Sequence, residues 1–171
     1  PPLGLTQDEA AARFDLLQRR LAPLWKSMAT MTADEQTIVI APSINVDMAL
    51  TGALMQAYEE RFLFLLLLLR QPKARLIYIT SQAIDPAIID YYLGLLPGVI
   101  ASQARKRLFL VGPMDGSGRP LSTKLLERPL LLDQIRALIP DPARAHLVPY
   151  NTTTLERDLA LRLGIPMYGA D

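Results

Sequence analysis

Short runs of aliphatic and β-branched residues alternate along the chain with longer segments whose apolar residues recur every three or four positions. The short runs predict four strands buried on both faces of a sheet, namely Gln36 to Ala41, Arg75 to Thr80, Leu108 to Val111 and Ala145 to Tyr150. A brief extended segment at Met167-Tyr168 predicts a fifth. Because strands that alternate with helices build a parallel sheet covered on both faces, the pattern predicts an α/β fold. We expect a three-layer, Rossmann-like domain with a mostly parallel sheet of about five strands and an N-terminal helical arm.

The N-terminal arm begins at a capping box, in which Thr6 and Glu9 stand three residues apart at the start of an apolar helical pattern. The first predicted strand follows at Gln36. We therefore assign residues 1–36 to the helical arm and residues 37–171 to the Rossmann-like body. The arm is expected to pack on the body or on a second copy of the chain.

A leucine-rich segment lies between the first two strands. Good helix formers extend from about Leu54 to Arg70, and Pro72 ends them, so the pattern predicts one α-helix. Its eight successive apolar residues, Phe62 to Leu69, sweep more than two turns and would leave the helix apolar on every side. This run is far shorter than the about 20 residues that cross a bilayer, so no membrane span is expected.

Composition and charge remove several classes of protein. The 171 residues contain no cysteine, which excludes disulfide scaffolds and zinc–thiolate sites. Lys and Arg number 18 against 17 for Asp and Glu, a net charge of +1, so no net field draws in nucleic acid or an anionic membrane. The absence of cysteine fits a reducing compartment, and we expect a cytoplasmic protein that binds neither nucleic acid nor membrane.

Polar residues follow the predicted strands. Ligands of open parallel sheets bind outside the carboxyl ends of the strands, so these residues form a candidate substrate site. The candidates are Ser43, Asn45, Ser81, Gln82, Asp115, Asn151 and Thr152. Such groups suit hydrogen bonds to a carboxylate, an amide or a ribose, and only Asp115 is a usual acid or base. The alternative that they cap helices and close turns stays open, above all for Asn151 and Thr152, which precede a second capping box formed by Thr153 and Glu156.

Phosphate and metal chemistry find little support in the sequence. The first strand–helix turn, Pro42-Ser43-Ile44-Asn45, has no glycine, and the glycines at 112, 116 and 118 are followed by Arg119-Pro120 instead of the Lys and Ser or Thr of a phosphate loop. His146 is the single histidine, so no metal-binding or catalytic set forms around it. The adjacent pair Glu59-Glu60 is interpreted as part of a solvated helix face.

Several segments taken together resemble one family, the pre-ATP-grasp domain at the N-terminus of ATP-grasp carboxylate–amine ligases of the peptide-ligase type. The similarity runs from about Thr37 to Asp171, except for a poor match over Asp47 to Gln56. The segments that carry it are Tyr58-Glu59-Glu60-Arg61, Thr80-Ser81-Gln82 with Pro86, Asp90-Tyr91-Tyr92-Leu93, Leu95-Leu96-Pro97-Gly98, Leu126-Glu127-Arg128-Pro129, Tyr150-Asn151-Thr152-Thr153 and Leu163-Gly164-Ile165-Pro166-Met167-Tyr168-Gly169. The last of these resembles the junction at which such enzymes pass into the ATP-grasp module.

In that family, ATP phosphorylates a carboxylate to an acyl phosphate, and an amine then displaces the phosphate to form an amide, while Mg²⁺ screens the charge. The resemblance implies an N-terminal domain that supplies one wall of the cleft for small carboxylate and amine substrates, and part of an acceptor-substrate site at the strand ends named above. It also implies an interface to an ATP-grasp module in the same chain or in another subunit. ATP and Mg²⁺ are expected in the parent enzyme and not in this fragment. No catalytic residue carries over, so no activity is expected from the fragment alone.

An alternative from a different class is a self-standing Rossmann-like binding or regulatory module. Its basis is the apolar run Phe62 to Leu69, through which two copies would pair as a homodimer.

Overall fold

The computed structural model describes residues 4–21, 35–43 and 52–169, with side chains from residue 56 onward in the last range. The strands are β1 Gln36–Ala41, β2 Ala74–Ile79, β3 Leu108–Val111 and β4 Ala145–Pro149. The α-helices are α1 Gln7–Gln18, α2 Gly52–Glu59, α3 Pro86–Gly94, α4 Ala101–Arg105, α5 Leu121–Leu126, α6 Pro129–Ala137 and α7 Thr154–Leu163, with 3₁₀ helices at Glu60–Arg70 and Pro142–Arg144. Each strand begins and ends within one residue of its predicted bounds.

The four strands form one sheet in the order β3-β2-β1-β4, with every neighbouring pair parallel. All six residues of the central strand β1 are buried, because aliphatic and β-branched side chains fill both faces. Val39 pairs with Ile77 of β2 and with Leu147 of β4, which fixes the register on both sides. The predicted α/β, Rossmann-like fold class is therefore confirmed.

The prediction of a fifth strand is wrong. Within the described ranges the sheet has four strands, and Met167 forms only an isolated parallel bridge with Leu147. The extended stretch is too short for a ladder, because the chain turns at Gly169, whose φ of 80° is left-handed.

Two apolar layers cover the sheet. Val39 and Ile77 belong to the core on one face, which α1, α5, α6 and α7 close. Ile38 and Leu76 belong to the core on the other face, which the long 3₁₀ helix, α3 and α4 close. This arrangement is the expected three-layer architecture.

The leucine-rich segment departs from the predicted single α-helix. It is α-helical only to Glu59 and continues as a 3₁₀ helix over Glu60–Arg70. At the junction the Tyr78 hydroxyl donates to the Glu59 carbonyl at 2.5 Å, and so competes for an acceptor that the α-helical ladder would use. At the other end the Arg107 guanidinium donates to the carbonyls of Leu69, Gln71 and Ala74 at 2.7–2.8 Å.

A 3₁₀ helix has three residues per turn, so residues three apart lie on the same side. Leu63, Leu66 and Leu69 are accordingly buried, whereas the row that begins at Arg61 and ends at Arg70 is exposed. The segment therefore has a buried side and an exposed side, although Phe62 to Leu69 is apolar throughout.

Helix α1 packs on the body, as expected for the arm. Its capping box of Thr6 and Glu9 is present, and Ala10 and Phe14 are buried in the same core as α5, α6 and α7. At the end of α1, the Gln18 side chain makes two hydrogen bonds with the backbone of Met167. The division of the chain at residue 36 stays a prediction. No helix within the described ranges is long and apolar enough to cross a membrane.

Candidate functional site

A buried polar cluster lies at the carboxyl end of β2. The Ser81 backbone N–H donates to both Glu59 carboxylate oxygens at 3.0 and 3.2 Å, and the Ser81 hydroxyl donates to Oε1 at 2.6 Å. Lys124 Nζ donates to the same hydroxyl at 2.8 Å. Glu59 and Lys124 are both fully buried, so their opposite charges face each other across Ser81 out of contact with water.

Burial is the main influence on the pKa values of this pair. It raises the pKa of Glu59, against hydrogen bonds from Ser81 and the charge of Lys124 that lower it. Burial lowers the pKa of Lys124, against the charges of Glu59 and Asp115 that raise it.

The same lysine holds the loop that follows β3. Lys124 Nζ also donates to the carbonyls of Asp115 and Ser117 at 2.8 Å, and the Asp115 N–H donates to the Ser81 carbonyl at 2.9 Å. The three protons of the ammonium group are thus all used. This arrangement fixes the loop across the end of β2.

Asp115 closes this loop with its side chain. Its Oδ1 accepts from the Ser117 N–H at 3.0 Å, and its Oδ2 accepts from Arg128 Nη2 at 3.1 Å. The hydrogen bonds from Ser117, the charge of Lys124 and the hydrogen bond from Arg128 lower the pKa of Asp115 to about 2. A carboxylate that stays ionised in this way can bind a cation or a donor group but is a poor proton donor at neutral pH.

A second buried cluster joins the end of β1 to α7. The Ser122 N–H donates to Ser43 Oγ at 3.0 Å, and the Ser122 hydroxyl donates to Glu156 Oε1 at 3.0 Å. The Thr153 N–H and hydroxyl both donate to Glu156 Oε2, which completes the predicted capping box. Helix α5, which carries Ser122 and Lys124, therefore links the ends of β1 and β2 to the start of α7.

The structure brings some predicted site residues together and separates others. Ser81 and Asp115 belong to the cluster around Lys124, and Ser43 belongs to the cluster around Ser122. Gln82 is exposed, and its amide packs so closely on Gly116 that a Cβ there would lie 2.3 Å from Nε2. Asn151 is half-buried and Thr152 is exposed, both beyond β4. Asn45 lies outside the described residues.

Glu59, Ser122 and Lys124 were not predicted to have any role in the clusters, and Thr153 and Glu156 were predicted only as a capping box. The interpretation of Glu59 as solvated is wrong, since its side chain is fully buried. The sequence held no clear signal for it, because the uniform apolar run Phe62 to Leu69 does not show which helix face is buried. Lys124 and Ser122 lie on a short helix beside the buried Leu121 and Leu125, where a polar side chain indicates a buried hydrogen-bond partner.

An open cleft lies beside this edge of the sheet, between α1 and the start of α7. Its volume is about 480 Å³, and Thr152, one of the predicted site residues, lines it. The remaining lining residues are Ala11, Phe14, Asp15, Thr153, Thr154, Arg157, Met167 and Gly169.

The arrangement favours binding over catalysis. Ser81 and Lys124 make the contact of a serine–lysine pair, but both are buried and the lysine protons are already donated to three acceptors, so the hydroxyl is not activated for attack. His146 lies buried in β4, where burial lowers its pKa to about 4. No group of three or more acidic or histidine side chains in the described ranges is placed to hold a metal ion.

The parallel sheet and the two buried clusters define a Rossmann-like α/β domain with hydrogen-bonded polar groups at the carboxyl ends of its strands. The chain is 32% identical over 108 residues to L-propargylglycine–L-glutamate ligase of Streptantibioticus cattleyicolor. The aligned part covers 61% of this chain and 22% of that ligase, so the match spans about a fifth of a longer enzyme. No protein-family model matches the chain, and no solved structure matches it.

Proposed function

We propose that this chain is the N-terminal domain of an ATP-dependent carboxylate–amine ligase that forms peptide or amide bonds. The observation that carries the proposal is the 32% identity to a ligase whose name joins two amino acids. The segments quoted above as similar to pre-ATP-grasp domains support the finer assignment to the ATP-grasp class. A cytoplasmic location is part of the proposal, since the reaction consumes ATP.

In this proposal the domain binds and orients substrate. Buried, fully hydrogen-bonded clusters make a rigid edge, and rigid placement of a substrate is worth several kcal/mol in a two-substrate reaction. ATP and Mg²⁺, supplied by an ATP-grasp module of the same chain or of another subunit, would provide the phosphoryl group and the charge screening. The substrates are a small carboxylate and a small amine.

The test begins with the complete coding frame that contains this chain, expressed with any companion subunit. The purified protein is incubated with MgATP and pairs of amino acids, and ADP, phosphate and amide are quantified. We expect one ADP and one phosphate for each amide, and no turnover from residues 1–171 alone. Formation of AMP and pyrophosphate would contradict the acyl-phosphate mechanism. A coding frame that ends at Asp171, with no ligase module in an associated subunit, would contradict the ligase assignment.

The second candidate is a self-standing module that pairs through the leucine-rich segment. Its supporting observation is that Phe64 and Leu67 are 52% and 47% exposed. Arg61 and Arg70 flank them on the same row, so two copies of the row would place arginines against arginines in either orientation. For this reason we prefer the ligase domain. Sedimentation of a dimer that Phe64→Ser converts to a monomer would favour the module instead.

A further inference from the structure

The open cleft between α1 and α7 lies where the fold places ligands. It borders the segment that follows the carboxyl end of β4, and its volume of about 480 Å³ is within the usual range for small-molecule sites. Its outer wall is held in place, because the Gln18 side chain donates to the Met167 carbonyl at 2.8 Å and accepts from the Met167 N–H at 2.6 Å. Helix α1 is therefore attached to the Met167 side of the cleft.

The two walls carry opposite charges. Arg157 projects from α7, and its Nη2 donates to Gln7 Oε1 at 3.1 Å. Its Nε is buried without a hydrogen-bond partner among the described residues, and Asp158 Oδ1 is 4.0 Å away. Asp15 lines the opposite wall on α1, and no other described residue donates to its carboxylate. Because Nε is buried and Nη2 is already donated, a ligand in the cleft would contact Arg157 through Nη1, which has no partner among the described residues, and would contact the free Asp15 carboxylate.

The rest of the lining is partly apolar and partly hydroxylated. Phe14 and Met167 are buried and form an apolar part of the surface, while Thr152 and Thr154 are exposed at its polar rim. A ligand with an apolar body and two opposite charges matches the residue types of this lining.

We propose that this cleft binds a free amino acid in its zwitterionic form. Arg157 binds the α-carboxylate, Asp15 binds the α-ammonium group, and the side chain lies toward Phe14 and Met167. A simple anion fits less well, because Thr153 and Glu156 already cap the N-terminus of α7 and because Asp15, Glu156 and Asp158 all add negative charge nearby. The assignment of this amino acid as a substrate rests on the proposed ligase function, whereas its binding does not.

A second cleft offers an internal comparison. It has a volume of about 400 Å³ and also carries an acidic and a basic residue, Asp133 and Arg136. It lies at the opposite edge of the sheet, beside Pro142 before β4 and Gly164 after α7. Ligands of parallel sheets bind at the other edge, so this second cleft is expected to remain empty.

The experiment titrates the purified chain with L-methionine, N-acetyl-L-methionine, L-methioninamide and acetate, and follows backbone amide shifts by NMR. The two derivatives each remove one charge of the amino acid. We expect L-methionine to shift the amides of the cleft, and each derivative to bind at least about tenfold more weakly, since each loses a charge-assisted hydrogen bond. Acetate should also bind more weakly than L-methionine.

Two variants test which residue binds the α-carboxylate and which binds the α-ammonium group. Arg157→Gln and Asp15→Asn should each weaken L-methionine at least about tenfold. Arg157→Gln should also abolish the preference over L-methioninamide, and Asp15→Asn the preference over N-acetyl-L-methionine, which loss of structure alone would not do. The matched controls Arg136→Gln and Asp133→Asn in the second cleft should change neither affinity nor preference.

Several results would overturn the proposal. These are the absence of a saturable shift with L-methionine, equal binding of acetate and L-methionine, or unchanged preferences in both cleft variants. Such results would leave the ligase proposal standing, because that proposal is decided by amide formation in the complete enzyme. Conversely, binding by the chain with no amide formation would uphold the cleft and refute the ligase.

Discussion

Glu59 and Lys124 are opposite charges at fully buried positions, joined through the Ser81 hydroxyl. Lys124→Met leaves the Glu59 carboxylate buried without its cation and removes the donor that holds the loop after β3. We expect the free energy of unfolding to fall by about 3–5 kcal/mol, measured by urea denaturation at pH 7. The control Lys106→Met changes an exposed lysine and should stay within about 0.5 kcal/mol of the wild type.

A double variant separates the charge from the packing. Glu59→Gln combined with Lys124→Met removes both charges, so it should be more stable than the sum of the two single losses predicts. Strict additivity of the two losses would contradict a direct interaction between the buried groups.

His146 gives the stability a defined dependence on pH. Its pKa is lowered from 6.5 to about 4 by burial, so the folded state prefers the neutral imidazole. The stabilisation is fully present above pH 6.5 and is lost as the pH falls toward 4, by at most about 3 kcal/mol. Urea denaturation across this window should show a shallower loss for His146→Asn than for the wild type. Identical slopes would refute the assignment, because the other titrating groups, Glu59 included, are common to both proteins.

Among individual residues, the sequence allowed prediction of hydrogen bonds whose two partners are close together in the chain. Thr153 and Glu156 were identified as a capping box because both partners lie within three residues. Glu59 and Lys124 were missed because their partners are 22 and 43 residues away at Ser81, and two adjacent glutamates resemble a solvated surface. For Lys124 alone, the position three residues after Leu121 on the same helix face was an available signal.

The three-residue repeat of the 3₁₀ helix predicts that adjacent leucines contribute very different amounts to the free energy of unfolding. Leu66 is buried and Leu67 is 47% exposed. Leu66→Ala should cost about 2–5 kcal/mol through lost burial and an unfilled cavity, whereas Leu67→Ala should cost under about 1 kcal/mol. Thermal or urea denaturation of the two variants measures the difference. Similar losses at both positions would contradict the three-residue repeat.

Elements with a distinctive composition were predicted, and elements that depend on distant contacts were not. The β-branched strand at Thr37 to Ile40 has little alternative to a buried position in a parallel sheet. The leucine run fits α and 3₁₀ helices equally by composition, and the choice is made by contacts from Tyr78 and Arg107 that no local pattern contains. The strand expected at Met167 was reduced to one bridge by the turn at Gly169.

In the molecule as a whole, the arm and the C-terminal segment depend on each other. Gln18 makes two hydrogen bonds with Met167, which is 149 residues away. Gln18→Ala should therefore speed hydrogen exchange at the Met167 amide and along α1, with a loss of about 1–3 kcal/mol in overall stability. The conservative control Gln7→Ala removes only an exposed contact with Arg157 and should leave the Met167 amide protected. Unchanged exchange at Met167 in Gln18→Ala would contradict the coupling.

The Gln18 contact also covers an edge of the sheet. Leu147 of β4 bonds to the 166–168 segment, and the outward N–H and carbonyl of Met167 would form a bare edge able to recruit a strand from another molecule. A glutamine amide offers the donor and acceptor of a peptide group but cannot extend the ladder by a further residue. Helix α1 thus covers this edge, and a chain that lacks α1 is expected to expose the Met167 peptide group together with the core around Phe14, and so to associate more readily with other chains.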